Sequence, residues 1–135
     1  AINVDVIGIG SGVVDRLKEM ELPVVGVNVA EAESPNANPE IQFNRLRDEL
    51  WWKGREWLEA RDCKFADDDE TIAELTVPTY SILSNGRIQV ERKDDLKKRG
   101  VKSPNRADAW LLTLHDGGYP GAKSGPLAIK RKFVV

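Results

Sequence analysis

Apolar positions along this chain follow two different periods. Residues 2–9 read INVDVIGI, a short run rich in β-branched side chains and interrupted by one acid, Asp5. Such a run predicts a buried strand. Gly8, Gly10 and Gly12 follow, and residues 13–20 (VVDRLKEM) switch to helical spacing. Val13, Val14 and Leu17 then form one candidate buried stripe. Pro23 ends that helix region, and residues 24–29 (VVGVNV) predict a second buried strand. Strand, helix and strand within about 30 residues make a βαβ unit with parallel strands.

Residues 31–38 are a turn-rich linker. Asn38 before Pro39 has the form of a helix start, so a helix is expected over 39–60. Phe43, Leu46, Leu50 and Trp57 recur in it at helical intervals, and Trp51 and Trp52 widen the apolar face. Gly54 is either a weak point or a close-packing site. Asp67, Asp68 and Asp69 lead into a short helix that ends before Pro78, since acids suit a helix start. Two apolar runs, 80–83 and 88–90, flank Asn85-Gly86, the preferred two-residue hairpin turn. Residues 94–99 predict a charged short helix or turn closed by Gly100. Ser103 and Pro104 read as the cap and first position of a helix over 106–115, with Ala107, Trp110, Leu111 and Leu114 on its apolar side. Residues 119–135 show no clear period and read as a tail or wrapping segment.

A chain of 135 residues is one domain by size. At 41% hydrophobic and 31% charged residues it has the composition of a globular protein rather than a disordered one. No apolar run approaches the ~18 residues that span a bilayer. No signal peptide is expected, because Ala1 opens directly into the strand-like run. Cys63 is the only cysteine and His115 the only histidine. That excludes an internal disulfide framework and a Cys/His zinc cluster, and it makes the cytosol the default compartment. The net charge of −2 announces no polyanionic partner, but its distribution is uneven. Residues 56–74 hold eight acids and two bases, whereas 87–106 hold eight bases and three acids. Such a division either steers a polyanion to one face or makes two solvated faces.

Candidate chemistry is sparse. Strand, Gly8-x-Gly10-x-Gly12 and helix is the setting of a dinucleotide fingerprint, but Val13 stands where its third glycine would fall. The plain alternative is a tight strand-to-helix turn built from small residues. Asp5 is more informative. An acid within an apolar strand is costly unless it lies at the strand end, caps the glycine-turn amides or binds a cation. Asp108 sits on a mostly apolar helix between Ala107 and Ala109; its alternative is an exposed carboxylate paired with Arg106 or a lysine. Consecutive side chains at 67–70 (DDDE) diverge, so they read as a solvated helix start. His115 reads as a helix-end residue near carbonyls, and Cys63 as a small filler.

Several segments together resemble one family. Residues 4–17 (VDVIGIGSGVVDRL) followed by 24–28 (VVGVN) look like the second-acid region of tailed-phage large terminase nuclease domains. Residues 43–52 (FNRLRDELWW) resemble the helix that follows there. The hairpin, 94–100 (DDLKKRG) and 103–109 (SPNRADA) resemble the closing motif, so the likeness runs over 4–115 in the family's order. It implies an α/β, RNase H-like (resolvase/integrase-like) fold, a mixed sheet flanked by helices. Residues 1–118 would be a partial nuclease domain with a β-hairpin insertion at 79–92, and 119–135 a C-terminal tail. The implied activity is endonucleolytic cleavage of concatemeric double-stranded DNA during phage or prophage genome packaging.

By the same resemblance, Asp5 matches the second catalytic acid and Asp108 the last, both as ligands of two Mg2+ or Mn2+ ions. Two such ions stabilise the attacking and leaving oxygens of an in-line phosphodiester displacement. Lys97, Lys98, Arg99, Lys102 and Arg106 would face DNA phosphates. The portal and the small terminase subunit are the implied partners, no membrane is involved, and the compartment is the host bacterial cytoplasm. The family's first acid lies on a strand upstream of the matched region. Early strands are therefore expected to be missing, and the metal site to be short of a ligand. Asn105 also stands where the closing motif often carries an aspartate. Two other classes stay open: a nucleotide-binding α/β domain using the Gly8–Gly12 turn, and a non-catalytic DNA-binding or assembly module. Missing strands would leave an open edge on 2–9, inviting self-association or patching by Phe133-Val134-Val135.

Overall fold

The structure is a computed structural model and describes residues 1–35, 37–61 and 67–115. Strand β1 (Ile2–Asp5) pairs in parallel with β2 (Val24–Val27), Ile2 opposite Val24 and Asp5 opposite Val27. Helix α1 (Gly10–Glu19) connects them, giving the βαβ unit that the spacing predicts. The first strand is shorter than its apolar run because the ladder ends at Asp5. The chain turns through Gly8 at φ +72, and α1 starts three residues earlier than its apolar stripe. A Cβ at Gly10 would lie 1.7 Å from the Asp5 carbonyl oxygen. A helix can start this close to the strand end only on glycine. Val14 is buried and Val13 exposed, so the helix buries less than expected. Among the described residues β1 pairs with β2 alone, and Ile7 and Ile9 beyond it are exposed.

Helix α2 (Leu46–Glu59) is shorter than the expected 39–60. Residues 42–44 instead lie along a strand of the hairpin. The Ile88 amide donates to the Gln42 carbonyl, the Asn44 amide donates to the Ile88 carbonyl, and Phe43 bridges Ile88 in parallel. Those backbone groups cannot serve a helix as well. Asn38 caps nothing longer than a local turn, its side chain accepting the Glu40 amide. The start of α2 is fixed by Asp48, whose carboxylate accepts the Arg45 amide at 3.0 Å. This is the N-terminal half of a capping box.

Helix α3 (Asp69–Thr76) ends before Pro78 as expected. Strands β3 (Tyr80–Ile82) and β4 (Ile88–Val90) form an antiparallel hairpin with Tyr80 opposite Val90. The hairpin turn has three residues rather than two. The Leu83 amide donates to the Arg87 carbonyl, and the Gly86 amide donates to the Leu83 carbonyl. Gly86 alone takes the left-handed conformation, at φ +80, so Asn85 is not in a type I′ turn. Helix α4 (Lys93–Lys98) closes at Gly100, and α5 (Asn105–Leu111) runs into a 3₁₀ turn at Leu112–Leu114. The helix expected over 106–115 therefore starts one residue early and tightens in its last turn. The tail at 119–135 and Cys63 lie outside the described residues. Among those residues, no helix is long and apolar enough to cross a membrane.

The core joins Val27, Leu46, Leu50, Trp51, Val90, Ala107, Leu111 and Leu112. Gly54 is a close-packing site. A Cβ there would lie 2.3 Å from the end of the buried Leu111 side chain and 3.1 Å from Trp110. The connection from β2 to α2 is tied down by a buried acid, Glu49, 1% exposed. Its carboxylate accepts the Ser34 amide and hydroxyl at 2.6 Å each and pairs with Lys53 at 2.9 Å. Burial pushes the Glu49 carboxyl up, but these Ser34 and Lys53 contacts outweigh it and hold its pKa below the ordinary 4.5.

Two outcomes follow from this packing. Gly54→Ala gains helix propensity but overpacks Leu111, and net destabilisation of about 1–2 kcal/mol is expected in urea unfolding. Because the folded pKa of Glu49 is depressed, its contribution is complete above the unfolded value and is lost as pH falls through the folded value. Glu49→Gln should cost about 1–3 kcal/mol at neutral pH. The gap to wild type should close as both proteins are acidified below the glutamate range; a gap that stays constant with pH contradicts the ionised role.

Candidate active site

The C-terminal ends of parallel strands are where open α/β sheets leave room for ligands. Here that end carries Asp5 and opens into a cleft of about 260 Å³. The cleft is closed by residues 29–30 after β2, the first half of α2, β4, the start of α4, and α5. Asp5 and Asp108 both line it, 103 positions apart in sequence. The Asp5 Oδ1 accepts the Ile7 amide at 3.0 Å, so this carboxylate steadies its own turn, not the amides of Gly8–Gly12.

Asp108 is placed by α5, and α5 is placed by α3. The Glu74 carboxylate on α3 accepts the first free amides of α5, those of Arg106 at 2.7 Å and Ala107 at 3.0 Å. The sequence pointed to Ser103 as this cap. Ser103 offers only its carbonyl, to the Asn105 amide, and a residue more than thirty positions away supplies the cap. Local pattern cannot reveal a cap that arrives from another helix.

Three side chains converge on the Asp108 carboxylate, which is 20% exposed. The Trp51 indole donates to Oδ1 at 3.1 Å. Arg47 Nε stands 3.7 Å from Oδ1, and Lys93 Nζ 2.7 Å from Oδ2. The Lys93 contact is an ion pair and not a well-directed hydrogen bond. Asp108 is thus partnered by a lysine, but not by Arg106. Arg106 pairs with Asp68 and Glu70 at the start of α3. Asp68 also accepts the Thr71 hydroxyl, so the acidic stretch serves as a helix start.

A third carboxylate, Asp48, borders the cleft. Burial raises its pKa, against the Val90 amide, the Arg47 charge and the Arg45 amide, which each pull it down. Both its oxygens are committed to backbone, Oδ1 to the Val90 amide at 2.8 Å and Oδ2 to the Arg45 amide. Asp5 and Asp108 therefore supply the available carboxylates. Carboxylate oxygens suit hard divalent cations. Among the described residues no group of three His, Cys, Asp or Glu is placed to hold a metal ion. A cation bound by Asp108 would displace Lys93, whose side chain is 44% exposed and free to swing outward.

The five basic residues singled out in the sequence lie elsewhere. None of them lines this cleft. Lys98 pairs with Asp95, Arg99 grips Glu91 through two 2.8 Å contacts, and Arg106 is held as above. Lys97 and Lys102 are exposed, with no partner among the described residues. The cations of the cleft are Arg45, Arg47, Arg92 and Lys93. The sequence held one usable signal for them. Arg47 and Trp51 are four apart on one helix and so share a face; the guanidinium lies 5.5 Å from the indole ring. Gly8, Gly10 and Gly12 do not line the cleft, and Gly10 is accounted for by packing.

Glu74→Ala should lower stability by about 1 kcal/mol, and it should disturb the Trp51 indole N–H resonance through the shift of Asp108. An unchanged indole signal in a destabilised variant would mean that the cap does not position Asp108.

The sequence matches no family model and no curated protein. Solved structures do resemble it. A lysine-to-alanine variant of the nuclease domain of the large terminase subunit of bacterial virus Sf6, with manganese, superposes at a TM-score of 0.66 and 20% identity. That match covers 84% of this chain and 64% of that one. The same domain with manganese and β-thujaplicinol gives 0.68 at 19% identity, covering 86% and 65%. A third structure of this domain, with calcium, gives 0.67 at 20%, covering 84% and 63%. This chain thus spans less than two-thirds of the length of the domains it matches. Its described architecture, a mixed α/β arrangement of small sheets and helices, shares its fold with the nuclease domain of a phage large terminase subunit.

Proposed function

We propose that the chain is an RNase H-like, metal-dependent endonuclease domain of a phage or prophage terminase large subunit, cutting concatemeric double-stranded DNA. The observation that carries this reading is that Asp5 and Asp108 line one cleft at the end of the parallel strands. The fold shared with a nuclease domain whose solved structures carry manganese or calcium supports it. In this reading Asp5 and Asp108 would hold Mg2+ or Mn2+, which would supply charge neutralisation at the scissile phosphate. Trp51 orients Asp108 by its indole N–H. Lys93 neutralises the Asp108 carboxylate, and its half-exposed side chain would be free to face the substrate if a cation took its place. The exposed Lys97 and Lys102 add non-specific attraction to the DNA backbone. The same reading places the domain in the host bacterial cytoplasm, working with a portal and a small terminase subunit.

A second reading draws on a specific observation. Asp108 is already held by Lys93 and Trp51, and the third carboxylate at the cleft, Asp48, is committed to backbone amides on both oxygens. A non-catalytic DNA-binding or assembly module would keep that arrangement permanently.

Plasmid nicking with manganese separates the two. Asp5→Asn and Asp108→Asn should each reduce nicking about 100-fold. They should also abolish the paramagnetic broadening that Mn2+ causes at resonances lining the cleft. Salt-sensitive DNA binding with neither nicking nor broadening in the wild type would favour the second reading, and nicking that survives both substitutions would remove Asp5 and Asp108 from the mechanism.

A further inference from the structure

Arg47 brings unused hydrogen-bonding capacity to the cleft. Its side chain is 15% exposed. One end is anchored, Nη1 donating to the Glu91 carbonyl at 3.2 Å, and the guanidinium lies over the Trp51 ring. The other two nitrogens, Nε and Nη2, are buried and have no hydrogen-bond partner. Asp108 Oδ1 stands 3.7 Å from Nε, close enough for charge attraction but too far for a hydrogen bond. Nε–H and one Nη2–H point the same way from the planar group. The free pair is therefore one complete bidentate edge, the edge that matches two oxygens of a carboxylate or phosphate.

Buried donors are almost always satisfied in folded proteins, and those that are not need a reason. The surroundings supply one. Arg45, Arg92 and Lys93 share the cleft with Arg47, while Asp48 is spent on backbone amides. The cleft thus holds four cations against the carboxylates of Asp5 and Asp108, and the Nε–Nη2 edge itself is buried, where a charge-assisted hydrogen bond to an anion is strong. We infer that Arg47 is a phosphate-binding residue, taking the two non-bridging oxygens of a phosphodiester on its Nε–Nη2 edge. The choice of a diester rests on the nuclease reading above; the anion site itself does not. Anchoring by Glu91 and Trp51 fixes the plane of the guanidinium, so the diester is oriented beside the Asp5 and Asp108 carboxylates. A lysine at this position would keep the charge and lose the fork.

The test is a titration of the ¹⁵N-labelled chain with thymidylyl-thymidine, a minimal phosphodiester, in metal-free buffer with chelator. The Arg47 Nε–H and Trp51 Nε1–H resonances should shift together and saturate. Arg47→Lys, its folding checked by thermal melting, should bind about tenfold or more weakly, and Lys18→Ala on the exposed face of α1 should bind like wild type. Wild-type resonances at Arg47 that ignore the dinucleotide would overturn the inference without any variant, and would leave the free edge to Asp108. Equal affinity in Arg47→Lys would overturn it as well. Dinucleotide bound through Arg47 with no metal-dependent nicking would sink the nuclease reading and keep the phosphate site. Nicking that proceeds at the wild-type rate in Arg47→Lys, with unchanged dinucleotide binding, would do the reverse.

Discussion

The buried carboxylate of Asp48 is the joint on which the cleft depends. One oxygen accepts the Arg45 amide and starts α2; the other accepts the Val90 amide and fixes β4 against that helix. Arg47 and Trp51 project from the helix so placed. Lys93 follows β4 by three residues, so its reach toward Asp108 is set by the same joint. Burial works against the charge of Asp48, and its backbone donors only partly offset that. A buried polar group satisfied on both oxygens gives a fixed geometry, even where its net contribution to stability is small.

Asp108 then becomes a shared acceptor. Its carboxylate has one neutral donor, one close ammonium and one guanidinium at ionic distance. The three differ in how easily they leave. Trp51 is locked in the core, Arg47 is anchored at both the Glu91 carbonyl and the Trp51 ring, and Lys93 rests on a flexible, half-exposed stem. Lys93 is therefore the partner that a competing cation would displace at least cost. If Asp108 holds a metal as proposed, a hard cation and an ammonium would compete for the same oxygen, and occupancy would be linked to the freedom of Lys93.

The two groups of cations serve different ends. Those on the basic stretch after the hairpin are mostly occupied by neighbouring carboxylates, tying the end of α4 to the hairpin and α5 to the start of α3. Surface pairs of this kind contribute little individually. Those in the cleft are mixed: Arg92 is exposed and pairs with Asp95, Lys93 faces Asp108, and Arg47 keeps a buried, unpartnered edge, where a charge is worth most to a ligand. Counting bases over 87–106 takes in Arg92 and Lys93 with the first group but misses Arg45 and Arg47, and it does not tell which of them reach the cleft.

The sequence alone determined what depends on near neighbours. The βαβ unit, the short helix ending before Pro78, the hairpin strands and the closing of α4 at Gly100 all rest on periods of two or 3.6 and on turn residues, and all are present. It also singled out Asp5 and Asp108, because an acid in an apolar setting is conspicuous wherever it lies. The tertiary structure decided the rest. Residues 42–44 became a ladder on β4 and not the first turn of a helix, since Ile88 offered their backbone groups a partner. Glu74 displaced Ser103 as the cap of α5, Gly54 proved a packing contact with Leu111, and Lys93, Arg47 and Trp51 met around Asp108. Each of these joins residues far apart in the chain. Such contacts are selected by which elements pack together, and one-dimensional periodicity carries no record of that choice.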